Sequence, residues 1–172
     1  MIFDFETPRL VVAELTADGA VSDREELLEE IPKILTPAVV AHLPPHFSQI
    51  DSAKDADVWL ARMSSESHLL LITAQVNNAL VGFLFVHVSQ ERDAHIGFLL
   101  RESHWGQGLA SELLRGFIDE VRERRALRTL IGGVSLENIQ SQRLFEKLGF
   151  TKRLDSQMDT LFYELALEKS GV

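Results

Sequence analysis

Two glycines in residues 104–111, HWGQGLAS, lie where an apolar, strand-like run gives way to a helical pattern. A turn from a strand into a helix leaves the first backbone N–H groups of the helix without hydrogen-bond partners. These N–H groups and the positive end of the helix dipole attract an anion, and glycines let a phosphate group approach the backbone. The spacing of Gly106 and Gly108 therefore predicts a phosphate site, although a merely tight turn would use the same residues.

Two common phosphate-binding motifs fit this stretch poorly. A P-loop ends in Gly-Lys-Ser/Thr, and here Gly108 is followed by Leu-Ala. A dinucleotide fingerprint requires Gly or Ala where Ser111 stands, and an acidic residue about 20 positions further on. Arg128 lies near that distance instead. The sequence therefore argues against both motifs.

Hydrophobic periodicity predicts the elements around the turn. Residues 94–100 form an apolar strand, and the helix after the turn buries a periodic set: Leu109, Leu113, Leu114, Phe117, Ile118 and Val121. Residues 129–134 form a strand parallel to 94–100, because a helix separates the two. Asn138 caps a short helix that ends at Gly149.

The remaining strands complete a sheet that helices must cover. They are predicted at residues 9–15, 69–75, 79–88, 150–154 and 160–167. Asn77 and Asn78 tolerate a positive φ and predict a hairpin between the second and third of these strands. Because the strands are apolar on both faces, we expect helices on both sides of the sheet.

Two helices are predicted in the first half of the chain. A capping box, Ser22-Asp23-Arg24-Glu25, starts the first helix, which runs toward Leu35. Prolines then interrupt the chain at Pro37, Pro44 and Pro45. The second helix, residues 51–63, is predicted to bury Val58, Trp59 and Met63. No internal repeat is evident, and we expect a single α/β domain over residues 1–172.

Composition narrows the classes of function. The formal net charge of −9 argues against a nucleic-acid surface and suits a cationic partner, although acidity also serves solubility alone. Without cysteine there is no disulfide, no thiolate nucleophile and no cysteine-type zinc site. The acidic start is unlike a secretory signal, and no apolar run is long enough to span a bilayer. We expect a cytoplasmic protein without a nucleic-acid or membrane partner.

The glycine turn and the segment after the second parallel strand, NIQSQRLFEKLGF, together resemble the GNAT acetyltransferase superfamily. Its signature, Arg/Gln-x-x-Gly-x-Gly/Ala, is matched by WGQGLA except at the first position, where Trp105 resembles a variant of the Rim-type branch. That branch acetylates N-termini of ribosomal proteins. Asn138 and Ser141 look like its Asn-x-x-Ser helix, and the TPRL stretch at Arg9 is similar to its opening strand. The resemblance is weakest over residues 16–68.

The resemblance implies a mixed, mostly antiparallel twisted sheet in which two parallel strands splay apart and bind acetyl-CoA. The backbone at residues 98–100 would bind pantetheine, a backbone N–H near Leu100 would hold the oxyanion, and the glycine turn would bind the diphosphate. The implied cofactor-binding residues are Phe98, Leu99, Leu100, Trp105, Gly106, Gln107, Gly108, Leu109, Ala110, Ser111, Asn138 and Arg143.

The resemblance also indicates two catalytic candidates. His95 stands where the family often carries a glutamate, and an imidazole titrates near pH 6.5, so it could accept the proton of the amine. A histidine that only belongs to the sheet is the alternative. Phe145 replaces a tyrosine that donates a proton to the thiolate in many relatives, and Ser141 is the nearest substitute, unless it bonds only its own backbone. Tyr163 is expected to pack in the sheet.

No metal is expected, because Pro44 and Pro45 separate the only closely spaced histidine pair, His42 and His46, and no zinc-protease motif is present. The resemblance implies an acetyl-CoA-dependent N-acetyltransferase acting on a protein or peptide N-terminal α-amine. A small cationic amine, such as a polyamine or aminoglycoside, is an alternative acceptor. A degenerate acyl-CoA-binding sensor without turnover is an alternative of another class. A homodimer is an open alternative to a monomer.

Overall fold

The structure, a computed structural model, describes residues 1–16, 24–155 and 157–168. Its strands are β1 (Asp4–Glu6), β2 (Leu10–Glu14), β3 (His68–Ala74), β4 (Leu80–Val88), β5 (Asp93–Leu100), β6 (Thr129–Ser135), β7 (Thr151–Lys152) and β8 (Thr160–Ala166). Its helices are α1 (Arg24–Ile34), α2 (Pro37–Val40), α3 (Ala53–Glu66), α4 (Leu109–Arg124) and α5 (Ile139–Lys147). Ser22 and Asp23 of the predicted capping box lie outside the described residues.

The strands of the described part form one mixed sheet in the order β1-β2-β3-β4-β5-β6-β8-β7. Neighbouring strands are antiparallel except β5 and β6, which are parallel and are joined through α4. The predicted α/β fold with a mostly antiparallel sheet and one parallel pair is confirmed.

β5 and β6 pair over only part of their length. Their last paired residues are Ile96 and Gly132, whereas β5 continues to Leu100 and β6 to Ser135. A Cβ at Gly132 would stand 2.6 Å from two atoms of the Phe145 ring, so glycine lets this ring of α5 lie directly on the strand. The unpaired ends of β5 and β6 leave an opening in the sheet.

Helices pack on both faces of the sheet, as predicted. On one face the buried helical residues are Leu109, Leu113, Leu114, Phe117, Ile118 and Val121 of α4, together with Phe145 of α5. On the other face they are Leu27, Ile31 and Ile34 of α1, together with Ala56, Trp59, Leu60 and Met63 of α3. The periodic set predicted after the glycine turn is therefore entirely buried.

Two predictions of local structure were wrong, and one strand was missed. Val58 is 68% exposed, because the buried stripe of α3 follows Ala56, Trp59 and Met63 and residue 58 lies off that stripe. The strand predicted over residues 150–154 is reduced to β7: the amide of Arg153 still donates to the carbonyl of Phe162 at 2.7 Å, but the chain bends at Leu154, where the Arg153 guanidinium pairs with Asp155 at 2.8 Å. The three-residue strand β1 was not predicted.

Several predicted turns are confirmed by the backbone. Asn78 has a φ of 57° between β3 and β4, and Gly149 has a φ of 92° at the end of α5. The amide of Phe150 donates to the carbonyl of Phe145 at 3.0 Å, which completes the C-terminal cap of that helix. Among the described residues, no helix combines the length and apolar character that a membrane crossing needs.

Candidate active site

The glycine turn connects β5 to α4 in a conformation that suits glycine. Gly106 and Gly108 have φ values of 73° and 76°, in the left-handed region that other residues adopt at a cost. Gly108 is the N-cap of α4, and within the described ranges no side chain caps this helix end. The first amides of a 16-residue helix therefore remain available to an anion, as the sequence predicted.

Side chains fix the turn at three points. The indole Nε1 of Trp105 donates to the carbonyl of Leu100 at 2.9 Å. The guanidinium of Arg9 donates to the carbonyl of Gln107 at 2.9 Å, and the Gln107 amide donates to the carbonyl of Ser103 at 3.3 Å. These bonds join the turn to the end of β5 and to the residue before β2.

A cavity of about 530 Å³ extends from this turn to the opening between β5 and β6. Ten predicted site residues line it: Phe98, Leu99, Leu100, Trp105, Gly106, Gly108, Leu109, Ala110, Asn138 and Ser141. They come from the end of β5, the glycine turn, the start of α4 and the start of α5. The structure thus brings together residues that are up to 43 positions apart in sequence (98 to 141).

The backbone of β5 presents hydrogen-bonding groups to this opening. The amide of Arg101 donates to the carbonyl of Val81 on β4 at 2.7 Å. Because backbone groups along a strand point alternately to its two sides, those of Phe98 and Leu100 point away from β4 and toward the opening. The Leu100 carbonyl accepts the Trp105 indole there, which leaves the Leu100 N–H facing the gap.

Asn138 combines a capping role with a place in the cavity. Its Oδ1 accepts a hydrogen bond from the backbone N–H of Ser141 at 3.2 Å, which confirms the predicted cap of α5. The oxygen is therefore engaged, and the Nδ2 group is the part of this side chain that can donate to a ligand.

The chain matches the acetyltransferase (GNAT) domain family over residues 9–151. It belongs to this GNAT family. As a member, it is an acetyl-CoA-dependent acetyltransferase. No curated protein matches the chain at a significant level.

Solved acetyltransferases share the fold of this GNAT protein. A GNAT-family acetyltransferase from Bacillus anthracis is 17% identical, with a TM-score of 0.77 over 97% of this chain and 100% of that one. The microcin C7 self-immunity acetyltransferase MccE, in complex with acetyl-CoA and AMP, is 14% identical, with a TM-score of 0.74 over 92% and 93%. RimL, a ribosomal L7/L12 α-N-protein acetyltransferase in complex with coenzyme A, is 18% identical, with a TM-score of 0.73 over 96% and 98%. At these identities the likeness shows the fold and does not assign a branch.

Three of the predicted cofactor-binding residues of the acetyltransferase do not line the cavity. Gln107 bonds Arg9 and Ser103 through its carbonyl and its amide. Ser111 accepts a hydrogen bond from Arg115 at 3.3 Å, and Arg143 is exposed on α5. Gln107 and Ser111 therefore bond other residues of the protein and do not line the cavity.

His95 also lies outside the cavity, although it shares a face of β5 with a lining residue. His95, Gly97 and Leu99 alternate onto the face that packs against α1 and α3, and Leu99 lines the cavity. Apart from Gly97 and its chain neighbours, no described atom lies within 4 Å of the position that a Cβ of Gly97 would take, so the surface of the sheet is open at this residue. His95 and Leu99 are about 13 Å apart along the strand, at 3.3 Å per residue.

The surroundings of His95 keep its ring neutral. Partial burial lowers the pKa of His95 below its ordinary value, and the neighbouring His87 and Arg153 lower it further, while Asp93 opposes them. At neutral pH the imidazole is therefore unprotonated and able to accept a proton.

The aromatic residues near α5 are structural in this acetyltransferase. Phe145 packs on Gly132 and stacks with Tyr163, whose ring centroid is 5.9 Å away. Tyr163 is fully buried, donates its hydroxyl to Glu146 at 3.1 Å and does not line the cavity. Burial raises the pKa of Tyr163, and the Glu146 carboxylate adds to the effect. The sheet-packing role predicted for Tyr163 agrees with this arrangement.

Sequence reasoning missed the wall of the cavity that lies opposite the turn. Ala38, Val39, His42 and Leu43, from α2 and the turn after it, line the cavity. The local signal for α2 is Thr36 followed by proline, and the Thr36 hydroxyl accepts from the amide of residue 39 at 3.5 Å. Among the described residues, no group of three or more metal-binding side chains occurs.

Proposed function

We propose that this acetyltransferase moves an acetyl group from acetyl-CoA to the N-terminal α-amine of a protein or peptide. One observation carries the proposal: a single cavity joins the uncapped start of α4, the unpaired end of β5 and the amide side chain of Asn138. The first of these groups suits the anionic diphosphate of acetyl-CoA, the second suits its amide-containing arm and thioester carbonyl, and the third suits its acetyl end.

Acetyl-CoA, the acetyl donor, would lie along the cavity from the glycine turn to the opening in the sheet. The amides at Gly106–Ala110 would receive the diphosphate, with the positive end of the α4 dipole favouring its charge. Phe98 would bond the pantetheine arm through its backbone, as an added strand would. The Leu100 N–H would donate to the thioester carbonyl oxygen, and the Asn138 Nδ2 would donate to the acetyl end of the arm.

Acetyl transfer then requires one bond to form and one to break. The neutral amine nitrogen of the acceptor attacks the carbonyl carbon, and the carbon–sulfur bond breaks to release the thiolate. We propose that His95 takes the proton of the amine through a chain of waters, which the open surface of the sheet at Gly97 supports. Ser141 would donate a hydrogen bond to the departing sulfur, and solvent would supply the proton of the thiol.

One feature favours an N-terminal α-amine over other acceptors: Asn138 and Ser141 keep the spacing of the Rim-type helix and both line the cavity. The wall at Ala38–Leu43 would contact the acceptor, and it belongs to the segment in which the sequence is least like that branch. A small cationic amine is the competing acceptor. A sensor without turnover is the other alternative, since Phe145 provides no proton.

A single assay separates these functions. Thiol release from acetyl-CoA should follow the addition of a peptide with a free N-terminus, and mass spectrometry should locate the acetyl group on its α-nitrogen. The matched control is the same peptide with its N-terminus blocked and with a lysine, so that the lysine side chain is its only amine. Turnover of spermidine but of no peptide would instead establish a small cationic amine as the acceptor. Binding of acetyl-CoA without thiol release on any amine would establish the sensor.

A further inference from the structure

Arg9, the residue before β2, bonds the first turn of α4 and the glycine turn from outside the cavity. Its backbone N–H and its Nε donate to the two carboxylate oxygens of Glu112 at 3.0 and 2.8 Å. Its Nη1 donates to the carbonyl of Gln107 at 2.9 Å. Arg9 does not line the cavity, and neither does Gln107. Its bonds therefore act on the shape of the turn rather than on the space for a ligand.

Glu112 provides a fixed anchor for this guanidinium. The hydroxyl of Thr7 donates to the same carboxylate at 2.6 Å, and the Glu112 side chain is only 18% exposed. Burial alone would raise the pKa of Glu112, but the hydrogen bonds from Thr7 and Arg9 outweigh it and hold this pKa below its ordinary value. The carboxylate is therefore ionised, and it bonds both the backbone and the side chain of Arg9.

The bond to Gln107 orients one particular amide. In a planar trans peptide the carbonyl of Gln107 and the N–H of Gly108 point in opposite directions. Fixing the carbonyl toward Arg9 therefore turns the Gly108 N–H away from Arg9. Gly108 lines the cavity and Arg9 does not, so this N–H faces the side on which the diphosphate would bind.

We propose that Arg9 is a positioning residue for the donor diphosphate, acting through the peptide that joins Gln107 to Gly108. The inference rests on the proposed binding of acetyl-CoA at the glycine turn. Without Arg9 this peptide can rotate more freely, because its rotation changes the φ of Gly108 and glycine permits many backbone conformations. A lysine cannot replace Arg9, since one ammonium group cannot present the fork that bonds Glu112 and Gln107 together.

The test compares donors with and without a diphosphate. Calorimetry should show that Arg9→Met and Arg9→Lys each weaken acetyl-CoA binding by about 10- to 100-fold, the usual effect of losing a hydrogen bond to a charged group. The KM for S-acetylpantetheine, which lacks the diphosphate, should change less than about threefold. Arg24→Met is the matched control, because it removes an arginine from an exposed ion pair with Asp57 away from the turn.

A second measurement does not depend on activity. In protein labelled with ¹⁵N-glycine, the Gly108 amide should shift when coenzyme A is added to wild type or Arg24→Met, and not when it is added to Arg9→Met at the same concentration. If the Arg9 variants weaken the use of acetyl-CoA and of S-acetylpantetheine equally, Arg9 has a general structural role and the proposal is overturned. Wild-type affinity for acetyl-CoA in Arg9→Lys or in Arg9→Met would also overturn it. If wild type itself does not bind coenzyme A, the proposed donor site fails instead.

Discussion

The indole N–H of Trp105 donates to the backbone carbonyl of Leu100, with 2.9 Å between nitrogen and oxygen. This bond joins the residue before Gly106 to the last residue of β5. It also occupies a carbonyl that faces the opening between β5 and β6. The family signature has arginine or glutamine at the position of Trp105. Here the indole ring provides one N–H donor in place of those side chains.

Trp105→Phe should weaken acetyl-CoA binding by about fivefold to tenfold, because it removes one hydrogen bond of about 1–1.5 kcal/mol and leaves most of the ring. Trp59→Phe is the matched control, since the Trp59 N–H is buried without a partner among the described residues. Calorimetry on the two variants measures the difference. Equal affinity in both would mean that the Trp105 bond does not shape the donor site.

Gly108→Asp should abolish acetyl-CoA binding in a folded protein. The substitution places a Cβ at a φ of 76° and a negative charge at the start of α4, where the diphosphate would bind. Gly108→Ala adds the Cβ without the charge and should retain part of the affinity. Circular dichroism establishes folding and calorimetry measures binding. Unchanged affinity in folded Gly108→Asp would refute the diphosphate assignment.

Gly132→Ala should lower the free energy of unfolding by about 1–3 kcal/mol, because the new Cβ would meet the Phe145 ring at 2.6 Å. The pair Gly132→Ala with Phe145→Leu should be less destabilised than the sum of the two single variants, since the smaller side chain makes room. Chemical denaturation of all three proteins gives the coupling. Additive effects would show that the ring does not press on this glycine.

His95→Ala should lower turnover by about 10²–10⁴-fold and leave acetyl-CoA affinity unchanged, because a general base acts on the amine and not on the donor. In wild type the acidic limb of the pH–rate profile should lie below the ordinary histidine range, since the pKa of His95 is lowered. Below that pKa the ring is protonated and activity is lost.

His87→Ala is the control for this assignment. His87 is one of the groups that lower the pKa of His95, so its removal should move the acidic limb to higher pH without abolishing turnover. If His95→Ala keeps the limb and His42→Ala removes it, the base is the histidine of the cavity wall rather than that of β5.

The part of the cavity at the glycine turn could be predicted from sequence because its signals are local. Gly106, Gly108 and the periodic residues of α4 lie within one short stretch, and left-handed glycines before a helix have a direct physical consequence. Asn138 is equally local, since a cap and its amide partner are three residues apart.

The cavity wall at residues 38–43 and the anchor of the turn could not be predicted in this way. Ala38–Leu43 reach the cavity only because α1 and α3 pack on the far face of the sheet, and no pattern inside the segment encodes that packing. β5 and β6 part after Ile96 and Gly132, where the Phe145 ring of α5 lies on the strand, and this contact joins elements that sequence patterns treat separately.

The bond between Arg9 and Gln107 has a consequence for the order of folding. The two residues are 98 positions apart, so the chain must close a long loop before the turn receives this support. The isolated second half, with its strand–turn–helix unit intact, should therefore hold the nucleotide poorly. Coenzyme A would then bind the completed sheet in preference to partly folded forms, and it would stabilise the whole domain by mass action as its concentration rises above the dissociation constant.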